Sequence, residues 1–238
     1  MSSDKDSCQP VIANDNGDRI AQENEQQQQP PPATATSLAR IYHERQSKQL
    51  CALHALNNLF QDPKAFTKQD LDAICKELAP DARIFNPHRS ALGLGCYDVN
   101  VIISALAKKG FDVIWFDKRK DSNCLDLDKI FGFILNVPNS PSDGFLAMPL
   151  NYISAQAQIW SSQKHWIALR RLGDHYYNLD SKLISPVCIG DQDSLLQHFE
   201  RNRTVEQVEI LIVVHQSQSE SQDYFKSEYR SKANNKNG

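Results

Sequence analysis

Apolar residues between positions 51 and 109 recur three or four positions apart, which is the spacing of helices with one buried face. This spacing predicts three helices, over residues 51–61, 68–79 and 99–109. Thr67 and Asp98 precede the second and third helices and carry the short oxygen-bearing side chains that cap helix N-termini. A proline or glycine follows each helix closely, as expected of a helix end. The predicted buried faces carry Leu53, Leu56, Leu59, Phe60, Leu71, Ile74, Leu78, Val99, Ile102, Ile103 and Leu106.

After residue 110 the apolar residues fall in short runs of strand length. These runs predict five strands, over residues 111–116, 131–137, 165–172, 175–180 and 208–214. A short helix is predicted over 193–199, before the last strand. Helices followed by mostly antiparallel strands are typical of an α+β domain.

Polar composition separates this central region from both ends of the chain. Residues 1–37 include the run "EQQQQPPPATATS" and are too poor in apolar residues to offset the entropy cost of ordering. Residues 216–238 are equally polar, and Phe225 and Tyr229 within them are expected to be solvated, with a docking site for a partner as the alternative. The sequence therefore predicts one domain over 38–215, between a disordered N-terminal segment and a disordered tail.

Charge and cysteine content exclude several classes of function. The net charge of −3 gives no basic excess for nucleic acid or an anionic membrane surface, and no apolar run is long enough to span a bilayer. The N-terminus lacks an apolar signal core, so we expect a cytoplasmic or nuclear protein. The six cysteines show no repeated spacing, which favours free thiols over disulfides or a metal site.

One cysteine raises a question of function. In "RQSKQLCALHALNNLFQD" (45–62), Cys51 begins the first predicted helix, five residues after Gln46. A helix N-terminus favours a thiolate, so Cys51 is a candidate nucleophile. Taken alone, a cysteine at the start of a helix is more often a small buried packing residue.

A predicted hairpin offers a histidine partner. "LGDH" (172–175) has the Gly-Asp centre of a tight two-residue turn. In a symmetric register, residue 167 faces residue 180, so His165 and Asp180 become diagonal neighbours on one face. A one-residue bulge would place them on opposite faces. The hairpin alone leaves open whether His165 is a general base or a half-buried surface histidine.

These residues together match the parts of thiol catalysis. His165 would activate Cys51, and Asp180 would orient and stabilise the imidazolium. The side-chain amide of Gln46 and the backbone N–H of Cys51 would bind the charge that develops on a carbonyl oxygen. Cys, His and Asn or Asp in this chain order form the papain-like constellation.

Four ordered motifs resemble one known family. "IYHERQSKQLCALHALNNLFQD" (41–62) resembles the first motif of the Josephin family, the ataxin-related cysteine deubiquitinases. "YDVNVIISAL" (97–106), "KHWIALRRLG" (164–173) and "YYNLDSKL" (176–183) resemble its later motifs in the same order. The sequences of these motifs are most similar to those of the short Josephin-only proteins.

The resemblance implies a papain-like α+β fold with N-terminal helices packed on a mostly antiparallel sheet. It implies an enzyme that cleaves the bond after the C-terminal glycine of ubiquitin, acting as a monomer without metal or cofactor. By motif position, Cys51 is similar to the family nucleophile and His165 to its general base. Asp180 is similar to the third member, which is Asn in ataxin-type members, and Gln46 to the oxyanion-hole glutamine.

The sequence departs from the ataxin-type pattern in two places. It shows no helical ubiquitin-interacting motifs downstream of the domain. The segment 138–163 is long and is either a lid over the cleft or a tolerated surface insertion.

His54 lacks further ligands at zinc spacing, so helix packing is its expected role.

Two other functions remain open. The domain could bind ubiquitin as a catalytically weak module, or it could be another Cys-His acyl transferase acting on a different amide.

Overall fold

The computed structural model describes residues 41–47, 49–82, 86–88, 96–138, 164–203 and 208–234. The segment 1–37 and nearly all of the segment 138–163 lie outside these residues. The helices are α1 (Cys51–Phe60), α2 (Lys68–Leu78), α3 (Val99–Ala107), α4 (Gln192–Arg203), α5 (Gln216–Ser221) and α6 (Ser227–Asn234). The strands are β1 (Phe111–Trp115), β2 (Gly132–Pro138), β3 (Lys164–Leu172), β4 (His175–Asn178), β5 (Val187–Gly190) and β6 (Glu209–His215).

The six strands form one sheet in the order β1-β6-β2-β3-β4-β5, and every neighbouring pair is antiparallel. Both faces of its central strands are buried, which explains their nearly continuous apolar runs. One face packs against α1, α2 and α3, and the other against α4 and the C-terminal segment. The predicted α+β class, with N-terminal helices on an antiparallel sheet, is confirmed.

The predicted helix caps are present. Thr67 accepts a hydrogen bond from the Asp70 N–H, and the Asp70 side chain accepts one from the Thr67 N–H, forming a capping box. Asp98 accepts from the N–H groups of the first turn of α3. Gly110 has a φ of 82° after α3, a left-handed conformation that favours glycine. These local signals position the helices that cover one face of the sheet.

Helix α1 lies very close to the sheet at Gly132. A Cβ atom on this residue would be 2.6 Å from Leu59 Cδ1 and 2.9 Å from the Leu169 carbonyl oxygen. The Arg170 guanidinium donates to the carbonyl of Leu59, near the C-terminal end of α1. A glycine on β2 and a half-buried arginine on β3 therefore hold the helix that begins with Cys51 against the sheet.

The predicted strand over 175–180 is too long by two residues. The ladder between β3 and β4 ends at Asn178, whose side-chain oxygen accepts the N–H of Asp180 at 2.9 Å. This local side chain–backbone bond competes with a strand and turns the chain. Asp180 therefore lies in a turn just beyond the strand. Strand β5, a four-residue edge strand, was not predicted.

The prediction of a disordered tail after His215 is wrong for the residues that the structure describes there. Residues 216–234 include α5 and α6. Tyr224 is 7% exposed and lies in the second core, which is the one between the sheet and α4. Phe225 forms an isolated β-bridge with Leu125, and its ring lies under the Lys120 ammonium. Polar residues on the outer side lower the apolar content of the segment. The aromatic residues nevertheless bury enough surface to hold the segment on the domain.

Candidate active site

Cys51 is the first residue of α1 and is buried, with 8% of its surface exposed. The preceding residue, Leu50, occupies the N-cap position and provides no side-chain cap, and no acidic residue lies in the first turn. The positive end of the helix is therefore neither capped by a side chain nor neutralised by a carboxylate within the helix.

The hairpin of β3 and β4 has the predicted symmetric register. Leu169 pairs with Asn178 and Leu172 with His175, so no bulge separates them. Gly173, the first residue of the two-residue turn, has a φ of 64°, as in a type II′ turn. The hairpin thus brings the N-terminal end of β3, with His165, to the turn that follows β4.

His165 and Asp180 are in direct contact at this point. His165 Nε2 donates to Asp180 Oδ1 at 2.6 Å, and the His165 side chain is only 3% exposed. The same carboxylate oxygen accepts the N–H of Lys182 at 2.9 Å. Asp180 Oδ1 therefore accepts two hydrogen bonds, one from the imidazole and one from the backbone, and these fix the carboxylate.

The pKa values of this pair are shifted in opposite directions. Burial lowers the pKa of His165, but hydrogen bonds and charge from Asp180 and Cys51 outweigh it, and the pKa is raised overall. Burial raises the pKa of Asp180, but the hydrogen bond and charge of His165, with a smaller contribution from Lys182, lower it overall. Both shifts favour an imidazolium beside a carboxylate.

Gln46 lies beside the same turn. Its backbone N–H donates to the carbonyl of Ser181 at 2.6 Å. The buried Ser181 hydroxyl lies 3.4 Å from Gln46 Oε1, to which it donates a long hydrogen bond. The structure thus brings all four residues singled out from the sequence to the junction of four segments: residues 43–47, the start of α1, the start of β3, and residues 179–181.

A second cysteine lies near the site. The Cys96 thiol donates to Gln49 Oε1 at 3.0 Å. Burial, followed by the charge of Cys51, raises the pKa of Cys96 to about 11. Cys96 is therefore a neutral thiol at physiological pH.

Two polar residues of α1 near the site were not predicted to take part in it. His54 was expected only to pack, and Asn58 was given no role. The ring of His54 accepts the N–H of Ser47 at 3.1 Å and faces Glu44 Oε1 at 3.2 Å. Asn58, wholly buried, contacts both Glu44 and Leu179. The sequence did carry a signal for them, because polar residues on the apolar face of a helix require buried partners.

Within the described parts of the chain, no group of three or more His, Cys, Asp or Glu side chains is arranged to hold a metal ion. In those same parts, the helices are too short or too polar to cross a bilayer.

Comparison with known proteins connects this geometry to a family. The Josephin family profile matches residues 46–214. The chain is 51% identical over 157 residues to a Josephin-like protein of Drosophila melanogaster, which covers 66% of each protein. It is 44% identical over 174 residues to Josephin-2 of Homo sapiens, which covers 73% of this chain and 86% of that protein.

Among solved structures, the chain is similar to Trichinella spiralis UCH37 bound to ubiquitin vinyl methyl ester. That similarity has a TM-score of 0.32 and 10% identity, over 52% of this chain and 80% of the other, which is too low to support an argument. The family profile, by contrast, covers the motifs that carry Gln46, Cys51, His165 and Asp180. The chain belongs to the Josephin family and is a cysteine-type deubiquitinase.

Proposed function

We propose that this chain hydrolyses the bond after the C-terminal glycine of ubiquitin, with Cys51 as nucleophile, His165 as general base and acid, and Asp180 as the residue that orients His165. The observation that carries the proposal is the 2.6 Å hydrogen bond between His165 and Asp180, with Cys51 close enough to raise the pKa of the same imidazole. Membership of the Josephin family supports ubiquitin as the substrate.

The first step is attack by the Cys51 sulfur on the carbonyl carbon of the terminal glycine. His165 holds the proton that the thiol gives up, and the start of α1 stabilises the remaining charge. Because His165 Nε2 is engaged by Asp180, Nδ1 is the ring nitrogen that serves the thiol. Asp180 stabilises the imidazolium and holds the ring plane without itself taking a proton.

The carbonyl oxygen becomes negative as the tetrahedral intermediate forms. The Gln46 side-chain amide and the backbone N–H of Cys51 are the proposed donors to this oxygen. The Gln46 backbone bond to Ser181 fixes the segment that presents the amide. Donors held in place before the reaction stabilise the developing charge without the cost of reorganisation.

Collapse of the intermediate breaks the carbon–nitrogen bond. The leaving amine takes the proton from His165, and a thioester remains between Cys51 and ubiquitin. Water then attacks the thioester while His165 accepts its proton, and the Cys51 sulfur leaves. The products are the free amine and ubiquitin with a C-terminal carboxylate.

Hydrolysis of a fluorogenic amide on the ubiquitin C-terminus tests this proposal. The full chain should release the fluorophore, and Gln46→Ala should lower kcat by on the order of a hundredfold or more, as for loss of an oxyanion donor. Gln49→Ala is the matched control, because it changes a neighbouring glutamine with no proposed role in the oxyanion hole. Release from an unrelated peptide amide but not from ubiquitin would indicate a different acyl transferase. Binding of ubiquitin without release would indicate a binding module.

A further inference from the structure

Asn58 is a buried polar residue on α1 whose hydrogen bonds leave the helix in two directions. It is 0% exposed. Its Oδ1 accepts the N–H of Glu44 at 2.6 Å, and its Nδ2 donates to the carbonyls of Glu44 at 3.2 Å and Leu179 at 2.9 Å. One side chain therefore uses both amide hydrogens and its oxygen on backbone groups of two distant segments.

Each of these segments carries a residue of the proposed mechanism. Glu44 is two residues before Gln46, and Leu179 immediately precedes Asp180. The same helix begins with Cys51, two turns before Asn58. Asn58 is thus the point at which one side chain joins three of the four chain segments of the site: residues 43–47, α1 and residues 179–181.

The surrounding contacts complete the same junction. The Glu44 carboxylate accepts from Asn57 Nδ2 at 3.0 Å and lies 3.2 Å from His54 Nδ1. His43 Nε2 donates to the Asp180 carbonyl at 2.9 Å. The segment 43–47 is therefore bound to α1 on one side and to the turn at Asp180 on the other, with Asn58 reaching both.

We propose that Asn58 is a positioning residue that fixes Gln46 and Asp180 relative to Cys51; the proposal rests on the roles given to these three residues above. No smaller or apolar side chain can make the same three bonds. Alanine makes none of them, and serine provides one hydroxyl on a shorter side chain. Removing Asn58 leaves the partly buried backbone groups of Glu44 and the buried carbonyl of Leu179 without this partner, so both segments relax away from the helix.

The consequence falls on the geometry of the site. A small displacement of Asp180 weakens its hold on the His165 imidazolium, so less of Cys51 is present as thiolate. Displacements near 1 Å lower rates by as much as about a hundredfold when catalytic groups are misplaced. A purely structural asparagine would instead lower stability and leave the reactivity of the folded protein unchanged.

The test compares Asn58→Ala with Asn136→Ala in the full chain. Asn136 is a matched control, because it is 8% exposed, lies in β2 and donates to Glu209 rather than to the site. The readout is the rate of Cys51 alkylation by iodoacetamide as a function of pH, located by peptide mass spectrometry. Circular dichroism gives the melting temperature. This assay needs no ubiquitin, so it stands even where ubiquitin hydrolysis fails.

Asn58→Ala should slow alkylation at neutral pH by about tenfold and move its rise to higher pH. Asn136→Ala should lower the melting temperature and leave alkylation within about twofold of wild type. In an Asp180→Ala background, Asn58→Ala should add much less than its effect in the wild type, because the two changes act through one interaction. Asn58→Ser, which keeps a polar group at this position, replaces Asn58→Ala where the alanine variant does not fold.

A folded Asn58 variant with the wild-type alkylation profile would overturn the proposal. Equal slowing by Asn136→Ala, or full additivity with Asp180→Ala, would overturn it as well. Suppose that Cys51 of the wild-type protein is alkylated with the expected pH profile but the protein leaves ubiquitin amides intact. That result refutes only the proposed function. A protein that cleaves ubiquitin equally well with and without Asn58 refutes only the present inference.

Discussion

His165 and Asp180 meet through a 2.6 Å hydrogen bond at the open end of a hairpin, although 15 residues separate them in the chain. The contact depends on a two-residue turn at Gly173 that keeps the strands in register, and on the Asn178 side chain, which turns the chain so that Asp180 leaves the ladder. Turn chemistry far from the site thus determines whether the carboxylate reaches the imidazole.

Substitution of Asp180 should separate its hydrogen bond from its charge. Asparagine can still accept a hydrogen bond from the ring, so Asp180→Asn should lower turnover only mildly. Alanine provides no acceptor, so Asp180→Ala should lower turnover by on the order of tenfold or more. Turnover of a ubiquitin amide, with folding checked by circular dichroism, measures the order wild type, Asn, Ala. Wild-type turnover by the alanine variant would show that Asp180 has no role in catalysis.

The same substitution should shift the pH profile. The Asp180 carboxylate helps to raise the pKa of His165, so its replacement by a neutral amide should lower that pKa. The imidazolium that accompanies the thiolate would then lose its proton at lower pH. The alkaline limb of kcat/KM should move to lower pH in Asp180→Asn. An unchanged or higher alkaline limb would contradict the assigned coupling.

Cys51 should be distinct from the other cysteines in reactivity. Cys51→Ala should fold normally and lose hydrolysis entirely, since the pKa of Cys96, the second thiol near the site, is raised to about 11 and keeps that thiol protonated. Cys124→Ala is the control, because Cys124 is 3% exposed in the core on the opposite face of the sheet. That variant should lose about 1 kcal/mol of unfolding free energy and keep its turnover. Comparable turnover by Cys51→Ala would exclude the thiol mechanism.

The segment after His215 should contribute to stability. Tyr224 is buried against the second core, so Tyr224→Ala should lower the unfolding free energy by about 3 kcal/mol in urea titration. Ile184→Ala, at a residue that is 83% exposed, should change it by less than about 0.5 kcal/mol. Equal stability of the two variants would show that the segment after His215 is a solvated tail, as its composition predicts.

Local signals in the sequence were sufficient for much of the fold. The caps at Thr67 and Asp98 and the turn at Gly173 each act within a few residues, so they could be predicted without the rest of the chain. The turn also fixed the register, which is why the contact between His165 and Asp180 could be anticipated. The roles proposed for His165 and Asp180 came from the resemblance of their motifs to those of the Josephin family.

Long-range contacts account for what was missed. Tyr224 and Phe225 lie in a polar segment, and their partners, such as Leu125, are about a hundred residues earlier, so composition alone indicated a tail. Asn58 has partners at Glu44 and Leu179, and its place on a helix indicates nothing about the second of these. Polar residues buried by tertiary contacts are the class that sequence periodicity does not resolve.

A ubiquitin probe with a C-terminal electrophile tests the central claim most directly. The full chain, incubated with this probe, should form a covalent adduct, and peptide mass spectrometry should locate it on Cys51. Cys51→Ala should form no adduct, and a probe ending in an unrelated tail should capture neither protein. An adduct on Cys96 or another cysteine, or equal capture by the unrelated tail, would contradict the account.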